Sequence, residues 1–553
     1  MKQEVVKALK KVTNLSFQEI EKLIETPPSK ALGDYAFPCF ILSKKLKQNP
    51  NEIAISLSKE IISPYFEKVE TKGPYLNIFL SREKLLDLTI KKILKEKGKY
   101  GSFNLGKNKK VVIEMSSPNI AKPFGIGHLR STIIGNSISN INSFLGFKTI
   151  KINYLGDWGT PFGKIILGFK KFGSEAKLKK NPSKHLLEIY VKVNQDSKLD
   201  EEAREWFNKL EQGDPEALKL WKRFREQSIK EFNKIYYLLN IKFDVVSGES
   251  VYNKKMSETI KSLKSKNLLE ESEGALIVNL EKYDLGVSLI KKSDGSTLYT
   301  TRDLTAAIDR KKKYNFDRMI YEVGMEQKLH FKQFFKILEL LGHSWAKNCL
   351  HVEHGLYLDK DGKKFATRKG KTIFMEDIIE DTRKLAEKEL TRREKLSKKE
   401  LKSRSLKIAL ASIIYGDLKN YRANDIIFDL ERFVNFEGNT GPYILYTYAR
   451  AQSILRKSKS PKNKNSPLTD LEKALILELS KFPQIVLHSY ENLSPNLIAN
   501  YSYSISQLFN EFYHIEKVIG SENESQKIAL VKAFSQVLKN ALALLGIEPL
   551  EKM

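Results

Sequence analysis

The sequence predicts an α/β fold with a parallel-sheet core, and three observations predict it. An apolar run, Val111-Val112-Ile113-Glu114, reads as a buried strand. A helical pattern follows, with Leu129, Ile133, Ile134, Ile138, Ile141 and Leu145 on one stripe. Lys148 to Tyr154 then alternates Ile150, Ile152 and Tyr154 as a second strand. Strand, helix, strand in that order is a βαβ unit, whose strands run parallel and whose ligands bind beyond the strand ends.

The remaining elements follow along the chain. Residues 1–105 read as a separate α+β unit. A helical stripe at Val5, Val6, Leu9 and Val12 is broken by Gly33-Asp34; helical patterns return at Ile41, Leu42 and Leu46 and again from Ile53 to Ile61. Lys72-Gly73-Pro74 then turns into a strand, Tyr75 to Leu80. Residues 106–380 form the sheet-bearing core, with the helix before Gly146 ended by that glycine. Within it, about 165–290 reads as a charged, mostly helical insertion. Residues 381–412 read as a helical connector rich in Lys, Arg and Glu, and 413–553 as helical throughout, interrupted by a polar stretch from Lys457 to Asn465.

Composition narrows the function classes. The 553 residues include 95 Lys and Arg against 67 Asp and Glu, a formal charge of +28. Such a surplus repels itself unless an anionic partner uses it. Nucleic acid is the leading candidate, a generally Lys-rich proteome the alternative. Cys39 and Cys349 stand far apart, which excludes a disulfide scaffold and a Cys-based zinc site and fits a reducing cytoplasm. No run of about 18 apolar residues occurs, so no membrane span is expected, and the charged N-terminus lacks the features of a signal peptide.

The stretch from Glu114 to Ser131 carries the most chemistry. Strand, glycine-bearing loop and helix N-terminus make an anion site, because unpaired N–H groups and the helix dipole both favour phosphate. Gly125 and Gly127 let a ligand approach the backbone, and His128 can donate to a phosphate oxygen. A plain turn and a capping histidine are the alternatives. The run is neither a dinucleotide fingerprint, since Arg130 fills the third glycine position, nor a P-loop.

Further on, Tyr299 and Asp303 stand one helical turn apart, a spacing that lets a ring and a carboxylate face one point. Asp303 as a helix cap is the alternative. His351 and His354 are not read as a metal pair, for no third ligand lies near in sequence. Lys363 to Lys371 is a basic loop. From Phe433 to Arg456 aromatics, Arg and amides intermix, the side-chain types that stack on and pair with unpaired RNA bases.

Gly125-Ile126-Gly127-His128 resembles the HIGH signature of class I aminoacyl-tRNA synthetases, and Ser116 to Phe124 resembles the arginyl-tRNA synthetase family in particular. Lys364-Phe365-Ala366-Thr367-Arg368-Lys369-Gly370 resembles a degenerate form of that class's KMSKS loop. The resemblance implies a Rossmann-like parallel-sheet catalytic core with an N-terminal α+β domain touching tRNA and a C-terminal all-α, DALR-type anticodon-binding domain. It implies ATP and arginine as substrates, with Mg2+, tRNA(Arg) as partner, and a monomer in the cytoplasm.

Carried over by position, His128, Lys122, Lys364 and Lys369 are the expected catalytic residues. Gly125, Gly127, His128, Thr367 and Arg368 would hold ATP, and Glu114, Ser117, Asn119, Tyr299, Asp303 and Gln327 would hold arginine. Asn439, Tyr443, Tyr448 and Arg450 would touch tRNA, and no metal-ligating residues are expected. Two departures stand out. Gly125 replaces the first His of HIGH, and Thr367 replaces the second Lys of KMSKS, with Lys122 placed to compensate. A non-catalytic, synthetase-derived RNA-binding protein is the alternative these departures keep open.

Overall fold

The computed structural model describes residues 2–81, 84, 86–120, 122–293, 299–363, 374–458 and 466–553. The N-terminal unit pairs β1 (Tyr35–Pro38), β2 (Phe66–Lys72) and β3 (Tyr75–Leu80) into an antiparallel sheet, order β1-β3-β2, packed against helices Lys2–Val12 and Pro50–Glu60. Its turn needs glycine. Gly33 sits at φ +99°, with Ile78 O at 3.0 Å from where a Cβ would stand. The next residue, Asp34, accepts the Leu80 N–H at 2.8 Å.

The core sheet consists of β4 (Lys110–Glu114), β5 (Lys148–Leu155), β6 (Val245–Gly248), β10 (Arg318–Gly324) and β11 (Cys349–His354), all parallel, in the order β11-β10-β4-β5-β6. Between β6 and β10, β7 (Glu270–Ser272), β8 (Ala275–Asn279) and β9 (Val287–Lys291) make a small antiparallel sheet. From β4 the chain builds outward through β5 to β6, then returns to the other side of β4 with β10. The connections after β4 and β10 therefore leave in opposite directions and open a crevice at their C-terminal ends. Helix Ile126–Phe144 starts there, directly after the β4 loop.

Two readings of the sequence need completing. The segment 165–290 is mostly helical but not only so. It contributes β6 to the core sheet and β7–β9 beside it. β6 is four residues long and lies at the sheet edge, with Val246 47% exposed, so it lacks the apolar run that marks a buried strand. Nor is 413–553 wholly helical, since β13 (Ile426–Ile427) pairs with β12 (Tyr357–Leu358). Two residues are too short to show a period.

Helices Gly441–Lys457, Asp470–Ser480, Phe482–Glu491, Asn496–Ile515 and Glu524–Leu545 form the C-terminal bundle. The last is long and apolar enough to cross a membrane by length and composition, but 72% of its apolar window is buried in the bundle. The bundle also touches the rest of the chain at several points. Lys473 pairs with Asp34 of the N-terminal unit at 3.3 Å, Tyr100 OH donates to Leu479 O at 3.1 Å, and Asn540 donates to Lys97 O and Tyr100 O at 3.0 and 3.2 Å.

Candidate active site

The loop after β4 is tied to the loop after β5. Ile120 N–H donates to Gly156 O at 3.1 Å, and Gly156 N–H to Pro118 O at 3.2 Å. To make this path Ser116 and Ser117 adopt φ +73° and +45°, left-handed values that non-glycine residues rarely hold and that cluster at functional sites. Asn119 is exposed beside Gly156; a Cβ on that glycine would lie 2.1 Å from Asn119 Oδ1. Ser117 Oγ is buried with no hydrogen-bond partner among the described residues.

At the helix start, Gly125 N–H donates to His128 Nδ1 at 3.2 Å. That contact leaves the ring proton on Nε2, if the imidazole is neutral. Neutral it is: burial, aided by the Lys122 cation, lowers its pKa from 6.5 to about 4. The cap uses Nδ1 and so leaves Nε2–H compatible with the phosphate-donor reading. Gly127 is exposed, with no atom within 4 Å of a would-be Cβ, so a ligand has room against the backbone. Lys122 is half-buried at the rim, its Nζ 5.6 Å from the Tyr190 ring. Lys364, Thr367, Arg368 and Lys369 lie outside the described residues. The chain re-enters at Phe374, bridged to Gly125, with Met375 N–H donating to Phe124 O at 3.0 Å.

A second cluster lies under the crevice. Tyr299 and Asp303 occupy the first turns of helix Tyr299–Tyr314 and meet at His330. Asp303 Oδ2 lies 2.8 Å from His330 Nε2, and the Tyr299 ring sits edge-on to the imidazole at 4.9 Å. Tyr299 is 55% exposed, open to a ligand. Nearby Glu249 has its pKa pushed up to about 7: burial dominates, Arg302 opposes it, and the carboxylates of Asp303 and Asp157 reinforce it. Arg302 is only loosely paired with Glu249, at 3.8 Å. Tyr154 and Tyr321 keep buried hydroxyls without hydrogen-bond partners among the described residues; burial chiefly raises the pKa of both, with the Asp303 charge adding to it. Crowded acids and unpaired hydroxyls make an environment that a cation would relieve.

Not every expected ligand is free. Glu114 is buried and salt-bridged to Arg310, seven residues along the helix from Asp303, so its carboxylate already has a cationic partner. Gln327 is exposed where helix Lys328–Leu340 begins, just past the end of β10. In the bundle, Tyr448 is 1% exposed and bonded to Glu551 at 3.3 Å, while Asn439 accepts from Tyr415 OH at 2.6 Å and donates to Asn500 at 3.2 Å. Tyr448 faces inward, because the same spacing that suits base contact also suits a helix core, and half-buried Asn439, just before the helix, is taken up by its neighbours. Tyr443 is half-buried, its OH accepting from Asn510 at 2.9 Å. Arg450 lies between the rings of Tyr446 and Tyr513, at 4.7 and 4.6 Å.

Sequence reasoning passed over Gly156-Asp157-Trp158-Gly159, although its glycines directly after a strand were a visible signal. Asp157 is fully buried. It accepts from Arg225 Nε at 2.8 Å and from Ser250 N and Oγ at 2.8 and 2.9 Å, joining the insertion to the β5 loop. Gly248 must be glycine, for a Cβ would stand 2.3 Å from Asp157 Oδ2. Glu249 and His330 were likewise missed, since nothing in their spacing marks them.

A parallel sheet with a glycine-bearing loop and a helix N-terminus at its switch point, acidic residues gathered beside it and a helical bundle behind is the architecture of a class I aminoacyl-tRNA synthetase. The solved arginyl-tRNA synthetase of Thermus thermophilus shares that fold, at TM-score 0.81 and 22% identity over 100% of this chain and 99% of its own. The arginyl-tRNA synthetase of Plasmodium falciparum matches at TM-score 0.80 and 27% identity over the same shares. Family models match end to end: the arginyl-tRNA synthetase N-terminal domain at 1–80, the catalytic domain of class I (R) tRNA synthetases at 89–430, and the DALR anticodon-binding domain at 444–553. An arginine–tRNA ligase of Clostridium perfringens is 44% identical over 100% of both chains, and one of Bacillus anthracis 45% identical over 98% of this chain and 97% of its own. The chain belongs to the arginyl-tRNA synthetase family.

Proposed function

We propose that the chain activates L-arginine with ATP and transfers it to the 3′-terminal ribose of tRNA(Arg), acting as a monomer in the cytoplasm. The observation that carries the substrate assignment is the acidic cleft of Tyr299, Asp303 and Glu249, where a guanidinium finds planar, bidentate partners. In the first step the arginine carboxylate oxygen attacks the α-phosphorus of ATP, the bond to the bridging oxygen of the β-phosphate breaks, and pyrophosphate leaves. In the second, the ribose hydroxyl attacks the arginyl carbonyl carbon and AMP leaves with its phosphate oxygen.

Positioning and electrostatics carry such chemistry. His128 donates Nε2–H to a phosphate oxygen, the Gly127 backbone lines the triphosphate, and Lys122 faces the charge that grows as pyrophosphate departs. By the family resemblance Lys364, Thr367, Arg368 and Lys369 would serve the same phosphates. Ser117, Asn119 and Gln327 hold the amino-acid end. Glu114 acts one step back, by fixing Arg310. Among the described residues no group of three or more His, Cys, Asp or Glu could hold a metal. Mg2+ is expected with ATP, where it would offset phosphate charge. RNA contact falls to Arg450 and Tyr443, with Tyr446 and Tyr513 beside them.

Arginine-dependent ATP–pyrophosphate exchange, with and without tRNA and with lysine and cysteine as controls, tests the reading. Exchange with arginine alone supports it. Tight tRNA binding without exchange by any amino acid would replace it with an RNA-binding protein and make Gly125 the first suspect.

A further inference from the structure

The helix that carries His128 is gripped at both ends by parts of the chain far from it in sequence. Near its start, Arg130 is 1% exposed and fully engaged. Its Nε pairs with Asp417 at 3.0 Å, Nη1 donates to Asn424 O at 2.8 Å and Nη2 to Arg422 O at 3.1 Å. Tyr357 closes the cluster, bonding Asp417 through its hydroxyl and lying with its ring 5.4 Å from the guanidinium. Arg422 extends the path: its Nη1 donates to Glu353 O of β11 at 2.9 Å, and its Nε to Leu493 O, between two bundle helices, at 3.1 Å. Farther along the helix, Ser137 Oγ donates to Leu544 O at 2.9 Å and Asn140 to Ala543 O at 3.2 Å, the last-turn carbonyls of helix Glu524–Leu545.

Arg130 is two residues beyond His128. A guanidinium held by three rigid partners fixes the rotation and depth of the first helical turn, and with it the Nε2–H of His128 and the N–H groups that face phosphate. Only Arg can do this. A lysine keeps the charge but cannot reach a carboxylate and two carbonyls in one plane.

We infer that Arg130, Asp417 and Arg422 form a positioning relay through which the C-terminal bundle sets the phosphate cradle. The inference rests on the ATP-dependent reading above. It assigns these residues an effect on the rate of activation, not on substrate affinity, although none of them touches ATP, arginine or the reacting atoms.

The test uses the full chain with Arg422→Gln, whose side chain is only half-buried and whose loss leaves the Arg130–Asp417 pair intact, alongside Arg130→Lys, Asp417→Asn and the double variant. Measured are kcat and KM in arginine-dependent exchange at saturating tRNA, tRNA Kd, thermal midpoint and the NMR signal of the His128 ring. Expected is a fall in kcat of tenfold or more, with arginine KM and tRNA Kd within twofold. The Arg130 and Asp417 losses should not multiply, and the His128 signal should shift in every variant. Folded variants with kcat within twofold of the parent and an unmoved His128 signal would overturn the relay. So would losses that merely track the unfolded fraction. If the parent itself shows no exchange, the functional reading fails, whereas the His128 signal still decides the relay.

Discussion

His128 uses one ring nitrogen to hold its own helix, the other being the proposed donor to phosphate, and its burial has a pH signature. Its pKa, lowered from 6.5 to about 4, means the unfolded chain binds the proton first as pH falls. The stability from burying a neutral ring is therefore complete above 6.5 and is lost between 6.5 and 4, by about 1.4 kcal/mol per pH unit. Thermal melts of the parent and of His128→Asn over that range should converge as pH drops. At neutral pH the same variant should lower the activation rate by about 10²-fold, the usual cost of one donor to a developing charge. Lys122→Ala should likewise lower kcat with little change in arginine KM, because its charge matters mainly in the transition state. Glu249 titrates with the opposite sense. An acid raised to about 7 costs stability as pH rises from the ordinary carboxylate value, 4.5, through 7, and a bound guanidinium would draw it back to the charged form. Arginine KM should fall as pH climbs through 7, and Glu249→Gln should flatten that dependence.

At the scale of elements, the two loops that build the cradle depend on close backbone approach rather than on side chains. Gly156→Ala would place a methyl group 2.1 Å from Asn119 Oδ1. That oxygen ends a short, movable side chain, so the fold should survive and Asn119 should swing away. Arginine KM should rise about tenfold or more with the thermal midpoint unchanged, and an unchanged KM would remove Asn119 from the site. The βαβ unit was legible because β4 is an apolar run buried on both faces, β5 alternates Ile150, Ile152 and Tyr154, and the apolar side chains of the helix keep helical spacing. β6 was not, because an edge strand of four residues has no such run. The pair Tyr299 and Asp303 was legible because it shares one helical face, and the structure brings it together at His330. Glu249 and Asp157 escaped because their meaning lies in contacts across long sequence gaps. Tyr448 was legible as a residue type but not in direction, since inward-facing aromatics on a helix read like outward-facing ones, and Asn439 precedes the helix, where no period shows its direction.

The molecule as a whole carries a formal charge of +28, and an RNA partner would use it. The affinity for tRNA should then fall steeply with salt, the slope of log K on log salt growing by roughly 0.7–0.9 for each phosphate neutralised. Arg450→Ala should weaken binding while leaving arginine KM alone. A flat salt response would place the surplus elsewhere. The bundle also returns to the chain's first unit, through Lys473 and Asp34, with a cavity of about 920 Å³ between the two. The chain therefore closes on itself as a loop rather than trailing as beads on a string. A single cut near residue 82 would break the covalent thread but not the circuit. Two fragments expressed apart, 1–82 and 83–553, should find each other and regain one shape, and the peptide bond between them would prove dispensable to the architecture it once spanned.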